Sequence, residues 1–506
     1  MRPAHPARLL SLALLCLAGC ATRSLDRAEW LRIETPHFEV VSALGRAETI
    51  ALARDAELFR ATVEFTLGSA IANPGVPTRI YAFDDRRPSR PFAHRAESGY
   101  FLPTLRQDWI VLRTGDGWGD DATLELRREY VQYLLRSQGP TLPPLWFDEG
   151  AAEFLGTARI DGDRVHLGLF DPGRVKLLRG QTWTPLLRIL EATDLESWSP
   201  GDRETFAAES WLFVHYLNFG LESGQGRKGL GVYLEQTSQG VPPEVAVRAA
   251  FGKTSGELDR RLQDALKQER LASVVVRPTA FEPGDPSPVA IEEVLVGLGE
   301  LSLALGRGEQ AAEWFEKAIA RDHRNPRANA GLGVALALGG AGSRASEQAG
   351  VAVSLDAQDP RNHLDAATVA LVRARETKLL APRAELAETA RGHAAAASQL
   401  DARLAEAYAS YGASYLLPGE EPSKAQESLD YAHQLLPASQ EVLLLLARMH
   451  ARMGHSTQAR DLVVSVLARS HTRAIQRQAE QVLGVIDGTI AHRTILKGPG
   501  AETSKR

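Results

Sequence analysis

The residues best suited to chemistry are three glutamates on two neighbouring helical segments. Residues 124–136 read Leu-Glu-Leu-Arg-Arg-Glu-Tyr-Val-Gln-Tyr-Leu-Leu-Arg, and residues 145–154 read Leu-Trp-Phe-Asp-Glu-Gly-Ala-Ala-Glu-Phe. Glu129 on the first segment and Glu149 and Glu153 on the second can each exchange a proton or hold a cation. Arg128 and Gln132 stand four apart, so a helix places them on one face. Glu129 and Glu149 alone would suit metal-free acid/base work of the glycosidase kind, but nothing else in the chain accompanies them. Ser210 lies in Glu209-Ser210-Trp211, outside any Gly-x-Ser-x-Gly elbow, which argues against a serine hydrolase.

With Pro36-His37-Phe38 upstream and Glu209-Ser210-Trp211-Leu212-Phe213-Val214-His215-Tyr216-Leu217 downstream, these segments resemble the peptidase MA-like gluzincin metallopeptidases. In that family a His-Glu-x-x-His helix is followed by a Trp-Leu-x-Glu-Gly-x-Ala-Glu-Tyr segment. The resemblance implies two histidines and a glutamate on zinc, with a metal-bound water of lowered pKa as nucleophile. It places Glu129 at the general base, Glu149 at the third ligand and Glu153 at an outer carboxylate. The two histidine positions, however, are Arg128 and Gln132. A guanidinium has no free lone pair for zinc, and an amide is a poor ligand beside imidazole. His37, His94, His166 and His215 fall on none of the ligand positions and are expected to be satisfied or at the surface. The sequence therefore predicts no metal and no cofactor. It predicts a catalytically inactive metallopeptidase-like domain in which Arg128 neutralises Glu149 and holds the two helices together. The second reading is an active hydrolase of the same type with an unusual or metal-free site.

The elements that would carry this site can be read from pattern. Phe38–Val41, Arg79–Phe83, Gly99–Leu102 and Trp109–Leu112 are rich in β-branched and aromatic residues and predict strands. Residues 46–67 carry a broad apolar stripe and predict a helix. Helices are expected over about 122–136 and from near Asp148, after Pro143-Pro144. A hairpin is expected over 158–168, turning at Asp161-Gly162. Strands first and helices after suggest an α+β domain over 31–270, gluzincin-like by the resemblance above. Arg86, Arg87, Arg90 and Arg95 form a basic loop, which reads as solvated or as a contact for anionic headgroups. Residues 271–290 hold Pro278, Pro283, Pro286 and Pro288 and read as a linker.

Beyond the linker the chain repeats itself. Leu298-Gly299 and Leu332-Gly333 are 34 apart, as are Asp322 and Asp356, and Asn325-Pro326 and Asp359-Pro360. Ala311, Phe315 and Ala318 have the small-large-small spacing of a packed second helix. These registers resemble tetratricopeptide repeats and predict an all-α solenoid over 291–490. Units fall near 292–325, 326–359, a longer 360–404, one marked by Tyr411-Gly412, Ala425, Ala432 and Pro437, and a fifth near 440–473. Residues 474–487 could cap the array, and 491–506 read as a disordered tail. Such an array implies a protein or peptide partner.

The ends and the composition set the remaining bounds. The 506 residues have a net charge of −5, which argues against a general nucleic-acid partner. The only two cysteines are Cys16 and Cys20, too few for a disulfide framework or a four-thiolate zinc site. Arg2 and Arg8, the apolar run Leu9–Ala18 and Leu17-Ala18-Gly19-Cys20 resemble a lipoprotein signal. That resemblance implies removal of residues 1–19, lipidation of Cys20 and a tether over 20–30. With Ala21 next, it implies an outer-membrane protein facing the periplasm.

Overall fold

The computed structural model describes residues 25–488 apart from 68–70, 72, 74–75, 85–91, 93–98, 114–122, 139–141, 170–171, 181–182, 196, 222–223, 269–271, 280 and 471–472. Residues 1–24 with the expected signal and Cys20, the stretch from 489 onward, His94 and the arginines at 86, 87, 90 and 95 lie outside the described residues. No helix among the described residues is long and apolar enough to cross a membrane.

Six strands form the main sheet: β1 (Leu31–Glu34), β2 (Phe38–Ser42), β3 (Thr78–Phe83), β4 (Gly99–Leu102), β5 (Asp108–Arg113) and a late edge strand, Ser287–Pro288. Their order is β4-β5-β3-β2-β1 followed by that edge strand. β2, β3 and β5 are parallel neighbours, while β1 and β4 run antiparallel to theirs. The β2-to-β3 crossover is α1 (Arg46–Leu67), as a parallel pair requires. One face of the sheet, with Phe38, Val40, Ile80, Ile110 and Leu112, buries against α1 and the helices that follow. These are α2 (Leu124–Arg136), α3 (Leu145–Gly156), α4 (Pro172–Gly180), α5 (Leu186–Glu191), α6 (Pro200–Phe219), α7 (Gln225–Ser238), α8 (Pro243–Phe251) and α9 (Ser255–Lys267). α3 begins at Leu145, earlier than expected, because the extended Pro144 offers its carbonyl to the Phe147 and Asp148 amides at 2.9 and 3.0 Å.

The segment read as a linker is tied into both sheets. β6 (Arg159–Asp161) and β7 (Arg164–Leu167) form the expected hairpin, and β8 (Val274–Val276) adds to it as a third strand. β9 (Ser287–Pro288) then pairs with β1. Pro288 is tolerated there because β9 is an edge with one neighbour.

From there the chain is helical hairpins. α10 (Ile291–Ala304) pairs with α11 (Gly308–Arg321), α12 (Pro326–Leu338) with α13 (Gly342–Leu355), and α14 (Pro360–Glu376) with α15 (Leu380–Leu400). α16 (Ala405–Tyr415) pairs with α17 (Gln426–Leu435) and α18 (Gln440–Arg452) with α19 (Ser456–Arg469), and α20 (Arg473–Ile486) closes the stack. Asn325, Asp359 and Ser439 cap α12, α14 and α18 by accepting from backbone N–H groups, and proline occupies N1 in the first two. Ala311, Phe315 and Ala318 are fully buried, as are Ala425, Leu429 and Ala432 further along the array. The array is thus a tetratricopeptide-type solenoid, with an enlarged third unit built from helices of 17 and 21 residues.

The array does not stand apart from the sheet. Trp30, Val41, Tyr81, Phe83, Trp109 and Val111 on the sheet's second face share one core with Val294, Leu295, Leu298, Leu301, Trp314 and Phe315. A Cβ on Gly297 would collide with the Tyr81 hydroxyl, so α10 lies directly on the sheet. A chain of alternating charges runs along the same contact. Arg32 pairs with Glu39 at 3.0 Å and with Glu293. Arg79 pairs with Glu39 at 2.6 Å and lies 3.8 Å from Glu300. Arg327 links Glu300 at 2.8 Å to Asp365 at 2.9 Å.

Candidate functional site

α2 and α3 pack side by side in the core, each contributing apolar residues to it: Leu126, Tyr130 and Leu134 from α2, Trp146, Ala151 and Phe154 from α3. Along their seam run Arg128, Gln132 and Arg136, one turn apart on α2, which places them on one stripe. Each reaches an acid on α3. Arg136 grips the fully buried Asp148, with Nε 3.1 Å from both carboxylate oxygens and Nη2 2.5 Å from Oδ2. The Gln132 amide donates to Glu149 Oε1 at 3.0 Å. Arg128 forms its closest pair with Glu153, lies 3.9 Å from Glu149 Oε2, and also meets Glu125 at 2.7 Å. Arg174, on α4, closes on the other oxygen of Glu153. Glu129 is part-buried on α2, beside Arg128.

The structure thus brings together Arg128, Gln132, Glu149 and Glu153, with one difference from expectation. Arg128 is spent chiefly on Glu153, and the neutral Gln132 holds Glu149. The reason is steric. The arginine stem runs past Gly156, where a Cβ would stand 2.7 Å from Arg128 Cγ, and this course carries the guanidinium toward the later carboxylate. Sequence reasoning missed the Arg136–Asp148 pair and Arg174. Arg136 continues the four-residue stripe and was legible by extension. Arg174 comes from a separate element and left no local signal.

The electrostatics follow from this crowding. Burial and the neighbouring Asp148 push the Glu149 carboxyl up, against the pull of Arg136, Arg128 and the Gln132 amide. Burial and the adjacent Arg128 push the Arg174 guanidinium down to about 10. A zinc ion does not fit this donor set. Two guanidinium groups converge on Glu153, and Gln132 presents its N–H side to Glu149, so fixed cations and donors occupy the carboxylates a metal would need. What the arrangement does is lock two helices together by charge-assisted hydrogen bonds.

His37 and His215 are engaged elsewhere. His37 Nδ1 lies 2.6 Å from Glu57 Oε2. His215 is buried against the rings of Phe154, Trp211 and Phe219, and burial holds its pKa below the ordinary histidine value.

A scan against protein-family models returned no match, and neither did a search of curated protein sequences. Among solved structures, the chain is similar to a thermophilic tetratricopeptide protein of Thermus thermophilus, at 22% identity and a TM-score of 0.35, over 38% of this chain and 98% of that one. It is similar to PilF of Pseudomonas aeruginosa at 19% identity and a TM-score of 0.31, over 40% of this chain and 88% of that one. It is also similar to YrrB, described as a tetratricopeptide protein with an unusual peptide-binding site, at 15% identity and a TM-score of 0.26, over 37% of this chain and 90% of that one.

Proposed function

We propose that this chain is an envelope lipoprotein acting as a protein-binding scaffold, in which a peptidase MA-like domain has given up catalysis. The observation that carries the reading is the cluster on the α2–α3 seam. At the positions where the resemblance calls for two histidines, Arg128 and Gln132 pair with Glu153 and Glu149. An ion cluster of this kind preserves a helix arrangement without a metal. It presents guanidinium and amide donors where zinc would need lone pairs. The partner-binding role belongs to the solenoid over 291–490, whose stacked hairpins make a long inner face. The membrane role belongs to Cys20, through the lipid that the signal implies.

The test uses the mature chain for metal and proteolysis and the precursor, expressed with its signal, for labelling. The reading expects substoichiometric zinc after purification in zinc-containing buffer, no casein hydrolysis, and palmitate labelling that disappears in Cys20→Ser. One zinc per chain lost on Glu149→Ala, with chelator-sensitive proteolysis, would return the domain to the active peptidases. Persistent labelling of Cys20→Ser would remove the lipoprotein assignment.

A further inference from the structure

The turn between β4 and β5 enters the inner face of the array. Thr104 closes it: its Oγ1 donates to the Gln107 carbonyl at 2.6 Å and accepts from the Gln107 amide at 3.1 Å. Leu105 packs against Val76, Ala405 and Leu436. Arg106 reaches between α14 and α16. Its Nη1 lies 2.7 Å from Asp365 Oδ1, and its Nε and Nη2 lie 2.7 and 2.9 Å from the two oxygens of Glu406. One guanidinium is therefore held by carboxylates from two consecutive units, bidentate on one of them. Burial opposes these charges, and the mutual attraction overcomes it: Arg106 is held well above the ordinary arginine value and Asp365 below the ordinary carboxylate value.

The sheet does not explain this turn. A five-residue connection between antiparallel strands needs turn formers, which Pro103 and Thr104 supply. It does not need Leu-Arg at its tip. The array does explain it. Without Arg106 the fork would keep only Arg327, 2.9 Å from Asp365 Oδ2, against the carboxylates of Asp365 and Glu406, with Glu406 left uncompensated near Glu441, an acid that burial and the Glu406 charge push up to about 7. Such a site calls for a cation, and its bidentate geometry selects arginine over lysine.

We propose that the Asp365–Glu406 fork is a recognition site on the inner face of the array, filled in cis by the Pro103–Gln107 turn. The partner that fits it is an extended protein segment presenting an arginine after an apolar residue. The inference rests on the reading of the array as a protein-binding scaffold and names its ligand chemistry. The turn is tethered, so its effective concentration at the fork is on the order of millimolar or above, and free segments are excluded until it withdraws.

The probe is a fluorescein-labelled peptide, Leu-Pro-Thr-Leu-Arg-Gln-Asp, copying residues 102–108, titrated into the full chain. Arg106→Ala is expected to bind it at least about tenfold more tightly than the unaltered chain, the scale of one charge-assisted contact. Adding Glu406→Gln should abolish the gain, and a lysine version of the peptide should bind several-fold more weakly. If Arg106→Ala fails to fold by circular dichroism, Arg106→Gln, which keeps the stem and one donor, takes its place in the same titration. A folded variant that binds the peptide no better than the unaltered chain overturns the proposal. Equal capture of an envelope partner by the unaltered and Arg106→Ala chains also overturns the fork as the recognition site, and leaves the scaffold reading standing.

Discussion

Cutting the chain after residue 290, at the boundary composition suggests, should not release a folded domain. The cut removes α10 and everything beyond it. It bares Trp30, Val41, Tyr81, Phe83, Trp109 and Val111, all at most 3% exposed in the intact chain. Each large apolar side chain returned to water forfeits about 1.5–3 kcal/mol, so the six together forfeit roughly 9–18 kcal/mol as an upper estimate. A whole domain is stable by only about 5–15 kcal/mol. The cut also strips Arg32 and Arg79 of Glu293 and Glu300. Fragment 20–290 is therefore expected to elute as aggregate, to bind a hydrophobic dye and to lose its near-ultraviolet circular dichroism. A cut after residue 439 is the control: it leaves α10 to α17 over the sheet and should keep the near-ultraviolet signal. A monomeric 20–290 fragment that unfolds cooperatively within a few degrees of the intact chain would refute the shared core.

Other expectations follow from the seam and from one buried acid. The pair Arg128→His and Gln132→His rebuilds the His-Glu-x-x-His pattern around Glu129. The double variant should be less stable than the parent without metal and regain about 2.7 kcal/mol at zinc one hundredfold above its Kd, read as a zinc-dependent shift in unfolding midpoint. No shift would mean that α2 and α3 do not hold a metal-binding register. Asp148→Asn leaves the Arg136 guanidinium buried without its counter-charge and should cost about 3–5 kcal/mol, measured by denaturant midpoint. Glu209 is buried on α6, and burial pushes its carboxyl up to about 8. Between roughly pH 4.5 and 8 the unfolded chain binds fewer protons there than the folded one, so this group makes stability fall as pH rises. Glu209→Gln should flatten that fall and raise stability at pH 8 by a few kcal/mol, since a tenfold difference in proton affinity between folded and unfolded chain corresponds to about 1.4 kcal/mol. An unchanged pH profile would show that Glu209 ionises freely in the fold.

The array was legible because its packing is periodic. Ala311, Phe315 and Ala318 sit where neighbouring helices leave small, large and small spaces, and the capped starts at Asn325 and Asp359 recur with the same register. The strands were legible as elements, though not as half of an interface. Ile80-Tyr81-Ala82-Phe83 and Trp109-Ile110-Val111-Leu112 do not alternate apolar with polar, the pattern of strands buried on both faces. That signal said a second layer existed and could not say that α10 and α11 supply it. The 271–290 segment misled for a related reason. Its prolines read as linker, yet Val274-Val275-Val276 is a β-branched run, and proline is compatible with an edge strand. Arg174 and Arg106 were out of reach, since their partners come from other elements and charge pairing over such separations has no sequence period.

The seam and the sheet contact bear on each other through rigidity. Without polar links across their seam α2 and α3 would be joined by packing alone. Arg136–Asp148, Gln132–Glu149 and Arg128–Glu153 supply directional links one helical turn apart along α2, and Arg174 adds a further one on Glu153. Those helices back the face of the sheet opposite the array, with Tyr130 against Phe38 and both Tyr130 and Tyr133 against Phe101. β4 carries Phe101, and its following turn delivers Arg106 to Asp365 and Glu406. A slack α2 would therefore loosen β4 and misplace the guanidinium, whose bidentate bonds tolerate only a few tenths of an ångström. On this argument the seam keeps α2 rigid and so aims the turn. A double-mutant cycle between Gln132→Ala and Arg106→Ala, read in stability, should then show coupling of about 0.5 kcal/mol or more. Strict additivity would separate the seam from the array and refute the link.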